Sequence, residues 1–169
     1  MIAIFLTVLI DMLSFGMAIP DLQLRGESLG AHGPLLGLML ASFSIAQLLT
    51  APFLGHWSDL VGRRKVLLVT CAMTALCFLL YSQAHSLPVM FASRILAGIS
   101  GANLGVAFAY IADVTKPEDR GKGMGLVGAA FGIGFIMGPP VGAALVEMGK
   151  GGPFVLGMTA MALALVNLF

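Results

Sequence analysis

Two charges stand where charges are costly. Asp11 interrupts the apolar run MIAIFLTVLIDMLSFGMAIP, and Arg94 interrupts a second, LPVMFASRILAGISGANLGVAFAYI. An ionised side chain at the centre of a bilayer costs roughly 2.5–3.5 kcal/mol on insertion scales, so such residues usually face a cavity or a partner. A carboxylate held away from water suits reversible proton binding, so Asp11 is a candidate proton or cation site. The alternative is a structural hydrogen bond between helices. Asp11, Ser14 and Ala18 fall at i, i+3 and i+7. That spacing puts Ser14 on the Asp11 face as a cavity candidate. Arg94 is a candidate to tune a nearby carboxylate or to contact substrate; the alternative is snorkelling to the outer interface. Gly98, Gly101 and Gly105 continue its face as a stripe for close helix packing. Gln47 and Asn103 are polar groups inside apolar runs, cavity candidates or interhelical hydrogen bonders.

Other chemistries lack their residues. His32, His56 and His85 fall near loop positions, and no metal-ligand spacing joins them. No phosphate-binding glycine loop is present, so ATP-driven work within this chain is excluded. Cys71 and Cys77 sit six residues apart in one apolar run, on different sides of a helix, so a disulfide between them is not expected. No cofactor is expected; a proton gradient would supply the energy.

The elements that must hold these residues follow from composition. The 169 residues are 59% hydrophobic and only 10% charged, with a mean hydropathy of +1.00. Globular chains carry about a quarter charged residues, so lipid is the expected solvent. The same balance, with a net charge of +1, excludes a disordered tail and a nucleic-acid binder. Six apolar segments are expected: about Met1–Leu22, Gly33–Gly55, Val66–Ala84, Leu87–Ile111, Gly123–Val146, and Pro153 to the end. The first lacks the basic start of a signal peptide and carries Asp11, so cleavage is not expected. The last has no closing polar flank and reads as cut short. Loops 2–3 and 4–5 hold Arg63, Arg64, Lys65, Lys116, Arg120 and Lys122, whereas loops 1–2 and 5–6 hold only Arg25 and Lys150. This asymmetry places the first pair of loops, and the N-terminus, in the cytoplasm. Pro52-Phe-Leu-Gly55 echoes Pro139-Pro-Val-Gly142 at a shift of 87 residues, consistent with three helices repeated twice.

Two motifs remain. The fifth segment carries Gly128-x3-Gly132 and Gly134-x3-Gly138-x3-Gly142, with Pro139 and Pro140 inside. Small residues at this spacing let backbones touch, and the prolines permit a bend that could line a moving interface. The stretch Gly55-His-Trp-Ser-Asp59-Leu-Val-Gly62-Arg63-Arg64-Lys65 reads as a tight turn between antiparallel helices, with a carboxylate that suits a helix N-terminus and a basic anchor.

With these residues the chain resembles the major facilitator superfamily. The 55–65 stretch is similar to the family's cytoplasmic 2–3 loop signature, departing at Leu60 where a basic residue is common. Arg94-x3-Gly98 resembles the helix 4 signature, with Ala97 where Gln is frequent. Gly134-x3-Gly138-Pro139-x2-Gly142 resembles the helix 5 signature of drug/proton antiporters, ending in Ala143 where Gly is usual. Asp11 with Phe15-Gly16 and Ile19-Pro20 resembles helix 1 of tetracycline-type efflux proteins, and Asp113-x-Thr-x-Pro117-Glu118-x-Arg120 their 4–5 loop.

The resemblance implies an all-α membrane protein. Residues 1–169 would be the six-transmembrane-helix N-terminal half of a twelve-helix transporter, built as a 3+3 repeat, with helix 6 at about 153–169. It implies no enzyme. It implies a proton-coupled antiporter in the plasma (cytoplasmic, inner) membrane, exporting small hydrophobic molecules by alternating access. Its partners would be substrate, protons, the lipid bilayer and a C-terminal six-helix half. Asp11 would carry the proton and Arg94 would couple it to substrate. Arg63 would pair with Asp113, and Asp59 would meet a helix of the second half, so that Gly55, Asp59, Gly62, Arg63, Arg64 and Asp113 gate the cytoplasmic end. The alternatives are a solute uptake symporter of the same superfamily and a six-helix membrane protein without transport.

Overall fold

The computed structural model describes residues 2–147. Lipid offers no partner to a backbone N–H or C=O, so apolar runs in a bilayer close their hydrogen bonds internally, as helices. The helices are α1 (Ile2–Ser28), α2 (Pro34–Val61), α3 (Arg63–Ser82), α4 (Leu87–Gly101), α5 (Leu104–Val114) and α6 (Arg120–Glu147), with a 3-10 turn at Pro117–Asp119. By length and composition five spans can cross a membrane, α4 and α5 together making the fourth. The protein is an all-helical, multi-pass membrane protein. The expected sixth segment, 153–169, lies outside the described residues.

The expected segments fall on these helices, but their ends differ. The stretch 23–28, beyond the expected end of the first segment, is the end of α1. Asp21 and Arg25 stand one turn apart as an ion pair at 3.7 Å. Arg25 Nη1 and Nη2 donate to the carbonyls of Tyr81 (3.2 Å) and Ala84 (2.7 Å). α2 likewise continues through Gly55, His56 and Asp59, so neither Gly55 nor His56 lies in a loop. Gly62 alone makes the turn to α3, at φ 106° and ψ 133°. L-residues avoid that backbone region. Gly62→Ala is therefore expected to destabilise the full protein by about 1–2 kcal/mol, read as a lower thermal unfolding midpoint in detergent.

The fourth span, expected as one helix, is broken at Ala102–Asn103. A helix end leaves its last carbonyls open. Gln47 Nε2 of α2 donates to one of them, Gly101 O, at 2.8 Å. Asn103 O accepts the Ala107 N–H at 2.9 Å and so starts α5.

α1 lies along α6, and α4 packs between α2 and α3, with α5 against α3 and α6. Glycines set the closest approaches. A Cβ on Gly138 would stand 2.6 Å from Gly16 Cα, and one on Gly134 or Gly142 would strike the α1 backbone at Leu9 or Met17. A Cβ on Gly98 would collide with the Phe43 carbonyl of α2. Gly105, Gly128 and Gly132 meet nothing within 4 Å, so each expected stripe is only partly used for packing. One core joins Ile4, Val8, Leu54, Val66, Ile111 and Val127 at one end of the bundle. A second joins Leu22, Met39, Tyr81, Ala84 and Met90 at the other. α2 and α6 keep apolar faces open, with Leu48, Phe53 and Ile136 more than two thirds exposed.

Candidate functional site

The break in the fourth span positions the site. It turns the Asn103 side chain toward α1, where Nδ2 donates to Asp11 Oδ2 at 2.5 Å. Asp11 shares a cavity of about 30 Å³ with Phe15, Phe43, Phe78, Arg94 and Ser100. Met12, Phe15 and Phe43 also wall a second cavity of about 170 Å³, which reaches Gln47, Phe131 and Phe135. Ser44 and Gln47 lead on to a third, of about 480 Å³, beside Leu48 and Gly105. Phenylalanines link these spaces: Phe15 lies 4.6 Å from Phe43 and 6.3 Å from Phe135, centroid to centroid, and Phe131 lies 6.2 Å from Phe135. Aromatic walls with a few placed polar groups suit a small apolar molecule.

Arg94 does not snorkel. It is buried, with its guanidinium 4.7 Å from the Tyr81 ring centroid. Its Nε has no hydrogen-bond partner among the described residues. Arg94 lines the Asp11 cavity, yet no ion pair joins the two among the described residues. The carboxylate is held by Asn103 and the guanidinium by an aromatic face. Cation–π attraction of this kind is worth about 2 kcal/mol when desolvated.

A second cluster ties the opposite end. Arg63 Nη2 meets Asp59 at 2.6 Å and Nε meets Asp113 Oδ2 at 2.9 Å. Arg63 Nη1 donates to Ser58 Oγ at 2.7 Å, and that hydroxyl donates to Gly55 O at 2.7 Å. One arginine thus joins the ends of α2, α3 and α5. Arg64 is exposed beside it. Gly62 and the 115–119 connection lie at this end, so Arg63, Arg64, Lys65, Lys116, Arg120 and Lys122 gather here, and Arg25 lies at the other.

Ser14 is buried and does not line the Asp11 cavity; its neighbour on that face, Ala18, packs on Phe78. Gln47 and Asn103 each make an interhelical hydrogen bond and still border the cavities or their carboxylate. Gly134, Gly138 and Gly142 clamp α6 on α1, and the Pro139 ring stands over Gly16 while α6 continues as a helix. Cys71 and Cys77 are free and buried. No group that could hold a metal occurs among the described residues. Sequence reading missed Tyr81, Asp21, Arg25 and Ser58. The four-residue spacing of Asp21 and Arg25 was a signal for continued helix. Nothing local marks Tyr81, whose role depends on two other helices.

The sequence model of the Major Facilitator Superfamily matches residues 4–169. Tetracycline resistance protein, class C, of Escherichia coli is 37% identical over 161 residues, covering 92% of this chain and 40% of that protein. Multidrug resistance protein 2 of Bacillus subtilis is 34% identical over 160 residues, covering 94% of this chain and 39% of that protein. The crystal structure of the human organic anion transporter MFSD10 (TETRAN) superposes with a TM-score of 0.77 at 27% identity, covering 99% of this chain and 46% of that one. The chain spans about 40% of the length of the curated relatives it matches.

Proposed function

The chain belongs to the major facilitator superfamily, whose members are transporters and not enzymes, and from that premise we propose that it is the N-terminal half of a proton-coupled exporter of small hydrophobic molecules. Residues 1–169 then form a six-helix domain with its last helix near 153–169. The observation that carries this reading is Asp11: a carboxylate within a membrane span, bonded to Asn103 and opening on a cavity walled by phenylalanines and Arg94. A proton taken up by Asp11 and an apolar guest in the larger neighbouring space would be coupled through Met12, Phe15 and Phe43, which wall both, and such coupling is what exchange requires. The tetracycline and multidrug resistance relatives support drug-like guests.

A second six-helix half would close on the open apolar faces of α2 and α6. Substrate would lie between the halves near the midplane, and rocking would expose it to each side in turn. The Arg63 cluster would latch the end carrying six basic residues, Arg63, Arg64, Lys65, Lys116, Arg120 and Lys122, which is the cytoplasmic end by the positive-inside rule. Asp59 and Asp113 are both about half exposed there, leaving oxygens free to meet a helix N-terminus of the partner half.

The test uses the full transporter in inverted membrane vesicles with an acid interior. Tetracycline and a lipophilic fluorescent cation serve as probes. Accumulation that collapses with a protonophore is expected. Accumulation confined to right-side-out vesicles would show uptake. Movement of neither probe, in either orientation, would leave export of drug-like molecules without support.

A further inference from the structure

α5 carries a polar attachment at each end. At its start Asn103 is buried and donates to Asp11 of α1 at 2.5 Å. Asp113, next to last in the helix, accepts from Arg63 at 2.9 Å. About 15 Å of helix separates the two. The chain before the break is fixed in another way. Gly98 of α4 packs on the Phe43 carbonyl of α2, and Gln47 donates to Gly101 O. α5 has no such interlock, since a Cβ on Gly105 would meet nothing within 4 Å. Val106, Ala107 and Ile111 seat it in the apolar core. Apolar contact is non-directional, so α5 can turn slightly within that core while its polar ends decide where it rests. The Asp11 cavity and the Arg63 cluster are thus joined by one short, stiff element.

We propose that α5 links the proton site to the cytoplasmic latch, with Asn103 as the positioning residue: a charge on Asp11 holds Asn103 and, through α5, holds Asp113 on Arg63. This rests on the readings of Asp11 as proton carrier and of the Arg63 cluster as latch. A hydrogen bond to a carboxylate is roughly twice as strong as one between neutral groups. Ionised Asp11 also stands at the start of α5, the helix end that favours negative charge. A proton on Asp11 removes both attractions. α5 then turns in its seat, Asp113 draws away from Arg63, and the cytoplasmic end is free to open. The other titratable groups around Asp11 are Arg94 of α4, across the cavity, and the buried Cys71 of α3. On α2 and α6 the charged residues lie toward the helix ends, and on α5 the one carboxylate is Asp113 itself.

The experiment places nitroxides on Leu60→Cys of α2 and Val114→Cys of α5 in the full transporter, in nanodiscs and without substrate. Both positions are exposed, and each adjoins a carboxylate that Arg63 holds. Dipolar broadening of the spectrum reads the share of molecules in which the labels are close. In Asp11→Asn the ratio of separated to close pairs is expected to rise about fivefold. Asn103→Ala is expected to raise it as far with Asp11 in place, and the double variant to add nothing measurable. Acidification is expected to separate the labels in the parent and in neither variant. Asn103→Gln, which keeps an amide to donate, is expected to recover part of the response to acid. Should Asn103→Ala fail to fold with Asp11 stranded, the double variant strands no charge and is compared with Asp11→Asn alone; a further separation there overturns the link. Labels that stay close in Asp11→Asn, whatever its thermal stability, overturn it too, as does a normal response to acid in Asn103→Ala. Labels that stay close in Arg63→Gln overturn the latch reading, and undiminished gradient-driven accumulation in Asp11→Asn overturns the proton-carrier reading; either takes the link with it.

Discussion

Asp11→Asn is expected to abolish pH-gradient-driven accumulation in the full transporter while leaving the folded protein intact. The carboxamide has nearly the shape of the carboxylate, and its oxygen can still accept the Asn103 bond. Packing around Phe15, Phe43 and Phe78 is therefore kept. What disappears is the proton site. The substitution also removes a charge whose burial costs roughly 2.5–3.5 kcal/mol on insertion scales, so the unfolding midpoint is expected to stay level or rise. Accumulation should drop to that of vesicles without the protein, while gradient-free exchange of probe persists. Undiminished gradient-driven accumulation would mean that the proton is carried elsewhere.

Gly138→Ala is expected to have a large effect on stability. The added methyl would stand 2.6 Å from Gly16 Cα and 2.9 Å from both Gly16 C and Leu13 O. All three are backbone atoms, and none can rotate aside. α1 and α6 must separate, which costs about 1–3 kcal/mol, and a larger side chain at this position should leave no folded protein. Gly121→Ala on the same helix is the control. Nothing lies within 4 Å of that position, and alanine there is expected to gain about 0.5 kcal/mol through lost freedom of the unfolded chain. Thermal unfolding of the two variants side by side measures the difference; equal midpoints would remove the argument that glycine is required for helix contact.

The membrane spans were legible because the bilayer demands about 20 apolar residues, whatever the tertiary structure. Their ends were not, because charge marks where hydrocarbon stops and not where backbone hydrogen bonding stops. Asp21, Arg25, Asp59 and Asp113 all sit in helices. Asp11 and Arg94 stood out for the cost of burying a charge. Their partners did not, since pairing depends on how helices are rotated against one another. Asp11 found Asn103 at a helix break just after Gly101, a glycine the sequence offered only as part of a packing stripe, and Arg94 found the face of Tyr81. The Arg63–Asp113 pair lies fifty residues apart in sequence and was reached only through resemblance.

The packing divides the bundle unevenly. α1 and α6 interlock backbone to backbone, and α4 interlocks with α2 in the same way at Gly98. Between these pairs α1 is joined by the two apolar cores and stitched by directional bonds: Asp11 to Asn103 near its first third, Arg25 to the end of α3 near its last. A boundary held by interlocked glycines yields only if the helices part. One held by a few hydrogen bonds can shear by exchanging partners, each worth about 1 kcal/mol. The domain is in this sense two stiff plates with a hinge pin at one margin and a titratable rivet at the other.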